Sequence, residues 1–256
     1  MKAPPFAAPD GTELVRLLGR GSSFSIAVVA VGGVPAIAKR ALPGAHFAVG
    51  PVEREQYVLA HVANDGIPRL IDAGTDAAGP YVIESLFEGE PPIGERASPA
   101  REQLALGVLS LIETLHGAGL VHGDPSRANF IALASGRIAL IDFGSSGWLD
   151  VPAVGHGTLP YAAPELCRAE TSPSQMTDRY AISVLVAELC GVALSGHGVG
   201  PAALLEIGER GHDLDALRAS DLRPSVRDAL AELLAFDPAA RPASLAGLRV
   251  ALERAT

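Results

Sequence analysis

Only two cysteines, Cys167 and Cys190, occur in the 256 residues. That is too few for a disulfide framework, and neither stands in a metal-ligand spacing such as C-x-x-C. The scarcity fits a reducing compartment, so a cytoplasmic location is expected. Basic charge is also short: 20 Lys and Arg against 29 Asp and Glu leave a net charge of -9. That sign opposes a partner with a polyphosphate backbone, and no nucleic-acid ligand is expected. Long apolar runs are missing as well. The longest stretch, Ala181 to Leu194, is shorter than a membrane span and contains Glu188, which reads as a buried core helix. Met1 to Gly11 has three prolines and no apolar leader core, so it is expected to be a flexible extension rather than a signal peptide.

What is present divides in two. From Thr12 to about Leu42, β-prone residues are punctuated by glycines, which predicts a three-stranded meander. Glu53 to Ala63 has helical spacing, and Ile67 to Ala73 and Tyr81 to Leu86 return to strand character. After the proline-rich piece Gly89 to Pro99 the pattern turns helical: Leu104, Val108, Leu111, Ile112 and Leu115 share one face of a helix over Ala100 to Gly117. Asp178 to Val192, Leu204 to Glu209, Pro224 to Ala235 and Ser244 to Ala255 are further helical stretches. The expected class is α+β with two lobes: residues 12–88, small, β-rich and with one main helix, and residues 89–256, larger and mostly α-helical.

Three local arrangements suggest chemistry. Phe130 to Leu133 and Arg137 to Ile141 are β-prone runs joined by Ala134-Ser135-Gly136, which predicts a hairpin centred between Ser135 and Gly136. Asn129 and Asp142 are equidistant from that centre. Antiparallel pairing is expected to set the amide oxygen of one beside the carboxylate of the other, a sparse oxygen pair of the kind Mg²⁺ takes. Asp124, just upstream, is then placed to orient a hydroxyl. Gly19 and Gly21, in Leu18-Gly19-Arg20-Gly21-Ser22-Ser23-Phe24-Ser25-Ile26, allow close approach of backbone N–H groups to phosphates. Taken alone they are equally the glycines of an ordinary hairpin turn. Lys39 ends a predicted strand on the same face as Ile37, and a buried strand lysine is costly unless its ammonium meets anions. Glu55 is the candidate partner and Glu53 its rival, while snorkelling to solvent beside Arg40 is the plainer alternative.

In order along the chain stand Gly19 and Gly21, Lys39, Glu55, His122 with Asp124, Asn129, Asp142-Phe143-Gly144, Ala163-Pro164-Glu165, Asp178 and Arg241. From about Leu14 to about Val250 this series resembles the eukaryotic-type, or Hanks-type, serine/threonine protein kinase family as found in bacteria. The resemblance implies a bilobal protein-kinase-like fold with ATP and Mg²⁺ as cofactors and a protein substrate bearing a Ser or Thr acceptor. By the same resemblance Gly19, Gly21, Ile26 and Ile37 surround the nucleotide, and Lys39, held by Glu55, takes its α- and β-phosphates. Tyr81 to Leu86 looks like the hinge, with Ile83 as gatekeeper and the backbones of Glu84 and Leu86 facing adenine. Asn129 and Asp142 are implied metal ligands and Asp124 the catalytic base. His122 and Phe143, joined by Leu59, are implied to stack in the core. Gly157 to Glu165 is similar to the substrate-docking segment of Ser/Thr kinases, in which Thr158 bonds near Asp124, and Glu165 and Arg241 are implied to form a buried ion pair.

The chain also departs from the family pattern. Gly123 stands where arginine usually receives an activation-loop phosphate, so competence without that phosphate is expected. Ser126 replaces a lysine near the γ-phosphate, with Arg127 adjacent, and Ile37 replaces the usual alanine. His122-Gly123-Asp124 is also similar to small-molecule kinases of the aminoglycoside and choline type, which leaves that alternative open beside a nucleotide-binding pseudokinase scaffold. Control is expected from a regulatory partner protein or from abundance, and Gly191 to His212 is a candidate partner surface.

Overall fold

In the computed structural model the described residues are 6–20, 24–41, 50–92, 98–155, 157–194 and 200–254. Gly21, with Ser22 and Ser23 of the same turn, lies outside them. The chain forms two compact units. One contains the described residues up to Phe87 together with Asp142–Gly144; the other contains Glu88–Ile141 and the described residues from Ser145 on. The sequence boundary near Glu88 did not anticipate that residues 142–144 join the first unit.

The first unit is an antiparallel sheet of β1 (Thr12–Arg20), β2 (Phe24–Val31), β3 (Val34–Ala41), β4 (Leu70–Asp76) and β5 (Gly79–Ser85), in the order β1-β2-β3-β5-β4, with α1 (Pro51–His61) against it. Gly32 and Gly33, both at positive φ, make the two-residue turn that pairs Val31 with Val34. Direct partners in an antiparallel ladder share a face. Ala36, Ala38, Val29 and Ile83 therefore form one apolar cluster, on which Phe6, Val31 and Tyr81 pack. The opposite face carries Ile26, Ile37, Lys39, Val82 and Glu84. The segment expected to be a loose extension is tied down from Phe6 onward. Arg40 donates from Nε to the Ala7 carbonyl at 2.8 Å and grips Asp76 with both terminal nitrogens at 2.7 Å.

The second unit is helical: α2 (Ser98–Gly117), α3 (Pro164–Cys167), α4 (Gln175–Leu189), α5 (Pro201–Arg210), α6 (Asp215–Ala219), α7 (Pro224–Leu233) and α8 (Ala246–Glu253). A small sheet of β6 (Gly89–Glu90), β7 (Phe130–Leu133) and β8 (Ile138–Leu140) joins them. Helix α4 opens on a capping box between Ser174 and Thr177 and is buried along most of its length, with α2 and α7 packed on it. The apolar run flagged in the sequence is thus a core helix. No helix among the described residues is long and apolar enough to cross a membrane.

The β7–β8 hairpin differs from its expected register by one residue. Gly136 takes a left-handed conformation, φ 81°, at the end of a three-residue loop, and Leu133 N–H bonds to the Arg137 carbonyl at 2.9 Å. Phe130 then pairs with Leu140, and the Ile141 N–H bonds to the Asn129 carbonyl at 2.9 Å. Ile141, not Asp142, is the residue opposite Asn129.

Candidate active site

Lys39 in β3 is the centre of the first unit's polar chemistry. Its Nζ lies 2.5 Å from Glu55 Oε1 on α1 and 3.3 Å from Glu84 Oε1 on β5, and all three residues are buried. Glu53, the rival partner, is exposed in the first turn of α1, so the choice between the two carboxylates falls to Glu55. The snorkelling alternative fails for the same reason: Lys39 is 5% exposed. Burial alone would lower the Lys39 pKa, but the carboxylates of Glu55, Glu84 and Asp142 outweigh it and hold the ammonium well above the usual lysine range. Glu55 is pushed up by burial, with Lys39 opposing and Glu84 and Asp142 reinforcing the rise. Its second oxygen accepts the Phe143 N–H at 2.7 Å. Phe143 is fully buried, and Asp142 before it takes a left-handed backbone, φ 65°, unusual for a residue other than glycine.

Two hinge expectations need correction. Ile83 pairs with Ala38 and faces the apolar cluster, on the side of the sheet away from Lys39. Glu84, the next residue, shares the Lys39 face. Its backbone lies inside the sheet, paired with Ile37 on one side and Leu70 on the other. Strand alternation in Tyr81 to Leu86 held the signal, since only one of two neighbouring residues can share a face with Lys39. Leu86 follows β5 and, with Phe87, Leu59 and Val62, lines a cavity of about 640 Å³ near the end of α1. Gly19 pairs with Ile26, which in turn lies opposite Lys39. Composition held a further signal: Lys39 and Lys2 are the chain's only lysines, every other basic side chain except histidine being arginine.

In the second unit the loop after α2 carries Asp124. Asp178, at the start of α4, accepts the backbone N–H of His122 at 2.8 Å and of Gly123 at 3.0 Å, and contacts His116 Nε2 at 3.0 Å. A fully buried carboxylate thus pins the loop, a role the sequence reading left unassigned. Thr158 donates from its backbone N–H to Asp124 Oδ1 at 2.9 Å and from its hydroxyl to Oδ2 at 2.8 Å. Asn129 gives its amide nitrogen to the Asp124 carbonyl at 2.8 Å, which leaves Oδ1 as the acceptor end of the side chain. His122 is fully buried, with Nε2 3.3 Å from the Ile141 carbonyl. Arg127 does not stand in for the missing lysine. It turns to Glu188 at 2.7 Å, whose other oxygen accepts the Tyr161 hydroxyl at 2.6 Å. Glu165 and Arg241 meet bidentately at 2.7 and 2.8 Å and are buried.

Gly123 has a backbone reason to be glycine. Its φ is 89°, and a Cβ there would stand 2.6 Å from the Ser145 carbonyl oxygen. Gly123→Ala is therefore expected to cost at least about 1–2 kcal/mol from the left-handed backbone alone, before the clash is counted. Gly123→Arg is expected to lose stability further rather than gain a phosphate-responsive switch. Urea unfolding measures the first; a Gly123→Arg chain with wild-type midpoint would refute both.

A five-stranded unit with a strand lysine held by a helix glutamate, and a helical unit with an aspartate loop pinned to a central helix, together define the protein-kinase-like class. The chain belongs to the protein kinase domain family, which matches residues 37–251. It is 32% identical over 189 residues to the serine/threonine-protein kinase AfsK of Streptomyces griseus, covering 69% of this chain and 23% of that protein. Against the serine/threonine-protein kinase PknL of Mycobacterium tuberculosis it is 31% identical over 202 residues, 74% of this chain and 49% of the relative. With the probable serine/threonine-protein kinase PknB of Lactococcus lactis the figures are 24% over 154 residues, 56% of this chain and 24% of the relative. The chain thus spans half or less of the length of these curated relatives. The family match begins at Ile37, after the glycine turn that was weakest as a motif.

Proposed function

We propose that this chain transfers the γ-phosphoryl group of ATP, with Mg²⁺, to Ser or Thr hydroxyls of a protein substrate. The observation that carries the reading is the grip of Thr158 on both oxygens of Asp124, which ties the docking segment Gly157 to Glu165 to the acceptor-orienting carboxylate. The named serine/threonine kinases among the relatives support the same acceptor class.

The chain's residues divide the work. Lys39, charged and held by Glu55, takes the α- and β-phosphates as a point charge. Asn129 Oδ1 and the Asp142 carboxylate are hard oxygen donors, the kind Mg²⁺ prefers, and would be its ligands. Bound Mg²⁺ supplies neutralisation of phosphate charge. Asp124 accepts the hydrogen bond of the acceptor hydroxyl and aligns its oxygen with the γ-phosphorus. As the new O–P bond forms and the bond to the β–γ bridging oxygen breaks, ADP leaves and the hydroxyl proton passes to Asp124. In a loose transition state alignment and charge stabilisation supply most of the acceleration. Gly123 in the arginine position supports activity without an activation-loop phosphate. ATP use and two free cysteines fit a cytoplasmic kinase domain.

The test is transfer of labelled phosphate from ATP and Mg²⁺ to a mixture of Ser, Thr and Tyr peptides and to aminoglycoside or amino alcohol acceptors. Label on Ser or Thr supports the reading. Label on small molecules alone, or on nothing, would overturn it.

A further inference from the structure

Lys39 has two carboxyl groups about it, and the functional reading above uses only one. Glu55 reaches the ammonium from α1 at 2.5 Å, and Glu84 reaches it from β5 at 3.3 Å. Both glutamates are buried. Two buried carboxylates on one ammonium would leave a surplus negative charge, which is costly away from water. The cluster relieves it internally. A hydrogen bond between the two carboxyl groups is among the causes that push Glu55 up, which puts a proton between them. One ammonium then faces one negative charge, and either carboxyl can carry it.

The two glutamates differ in what holds them. Glu84 and Lys39 stand on neighbouring strands of one ladder, in which Ala36 to Arg40 pair with Tyr81 to Ser85. Backbone hydrogen bonds inside the sheet therefore fix their spacing. Glu55 belongs to a helix that packs on β3, β4 and β5, and packed helices yield by small sliding motions. A displacement of α1 separates Glu55 from Lys39 and leaves Glu84 where it stands.

We propose that Glu84 is a positioning residue, a second holder of Lys39 carried by the sheet, which keeps the ammonium in the site when Glu55 is withdrawn. The assignment rests on the nucleotide reading for the task of Lys39 and adds a consequence for control. A shift of α1 releases the Phe143 amide, and with it the segment bearing Asp142, while Lys39 stays placed for phosphate.

Lys39 and Lys2 are the chain's only lysines. Acylation of the full chain by an activated ester, read by mass spectrometry, therefore reports Lys39 directly, with Lys2 as the reference for the reagent. Glu84→Gln is expected to speed Lys39 labelling a few-fold in the wild-type chain and about ten- to hundred-fold in a Glu55→Gln background, the range of a hydrogen bond to a charged group. An effect no larger in the Glu55→Gln background than in wild type would overturn the second-holder role. Both changes keep the side-chain shape. Should the double variant fail to fold, lysine-selective nitrogen NMR of Glu55→Gln alone decides: a charged Lys39 Nζ signal distinct from that of Lys2 supports the role, and one coincident with it overturns it. Adding Mg²⁺ and ATP to the wild-type chain keeps the two readings apart. Labelling of Lys39 that the nucleotide does not slow would sink the nucleotide reading, whatever the variants show of Glu84.

Discussion

Asp124→Asn is expected to lower the turnover of Ser/Thr peptide phosphorylation by about 10²–10⁴-fold, the range for removing a positioned acid–base group. The loss should fall equally on kcat and on kcat/KM for the peptide, because the acceptor hydroxyl is aligned most strongly in the transition state. KM for ATP should stay near its wild-type value, since Lys39 and Glu55 belong to a different unit of the chain. The amide keeps one acceptor for Thr158 but presents nitrogen where Oδ1 or Oδ2 now accepts a donor, so the docking segment loses part of its hold. Steady-state kinetics with both substrates varied separate these effects. Residual turnover within tenfold of wild type would mean that another group orients the acceptor.

The second large effect concerns stability. Removing one partner of the Glu165–Arg241 pair, as Glu165→Ala or Arg241→Met, is expected to cost about 3–5 kcal/mol, because a buried charge is left unpaired. Arg241 should be the more damaging loss. Its guanidinium also donates to the carbonyls of Ala235 and Phe236 and lies 4.5 Å from the Tyr180 ring centroid. The pair links α3 to the segment before α8, so its loss frees the docking segment from the late helices. Replacing both residues with Leu and Met should cost less than the worse single change, since well-packed apolar groups often substitute for a buried ion pair. Urea denaturation of the two singles and the double decides the matter; a single-variant cost below about 1 kcal/mol would place the pair among ordinary surface bridges.

Much of this was legible before any coordinates. Helix α2 followed from its apolar stripe, the β1–β3 meander from its glycine punctuation, and the kinase resemblance from an ordered series of polar landmarks. What escaped the sequence depended on single-residue offsets. The β7–β8 register shifted because Gly136 adopts a left-handed conformation in a three-residue loop, and a period of two turns a shift of one into a change of partner. The same parity exchanged Ile83 and Glu84: an isoleucine and a glutamate in a buried strand invite the apolar one into the site, and only pairing with β3 shows that it faces elsewhere. Helices α3 and α6, of four and five residues, are too short for a periodic pattern to declare itself. The hold of Asp178 on two loop amides joins residues more than fifty positions apart, which no local spacing encodes.

Glu55 has two oxygens, and each has its own partner: one meets the ammonium of Lys39, the other the amide of Phe143. The side chain therefore works as a coincidence detector. Were α1 to slide by the length of one hydrogen bond, both contacts of Glu55 would break together, leaving Lys39 to Glu84 alone and the segment bearing Asp142 without its tie to the helix. One helix position thus gives the strand lysine and the segment bearing Asp142 a shared reference point.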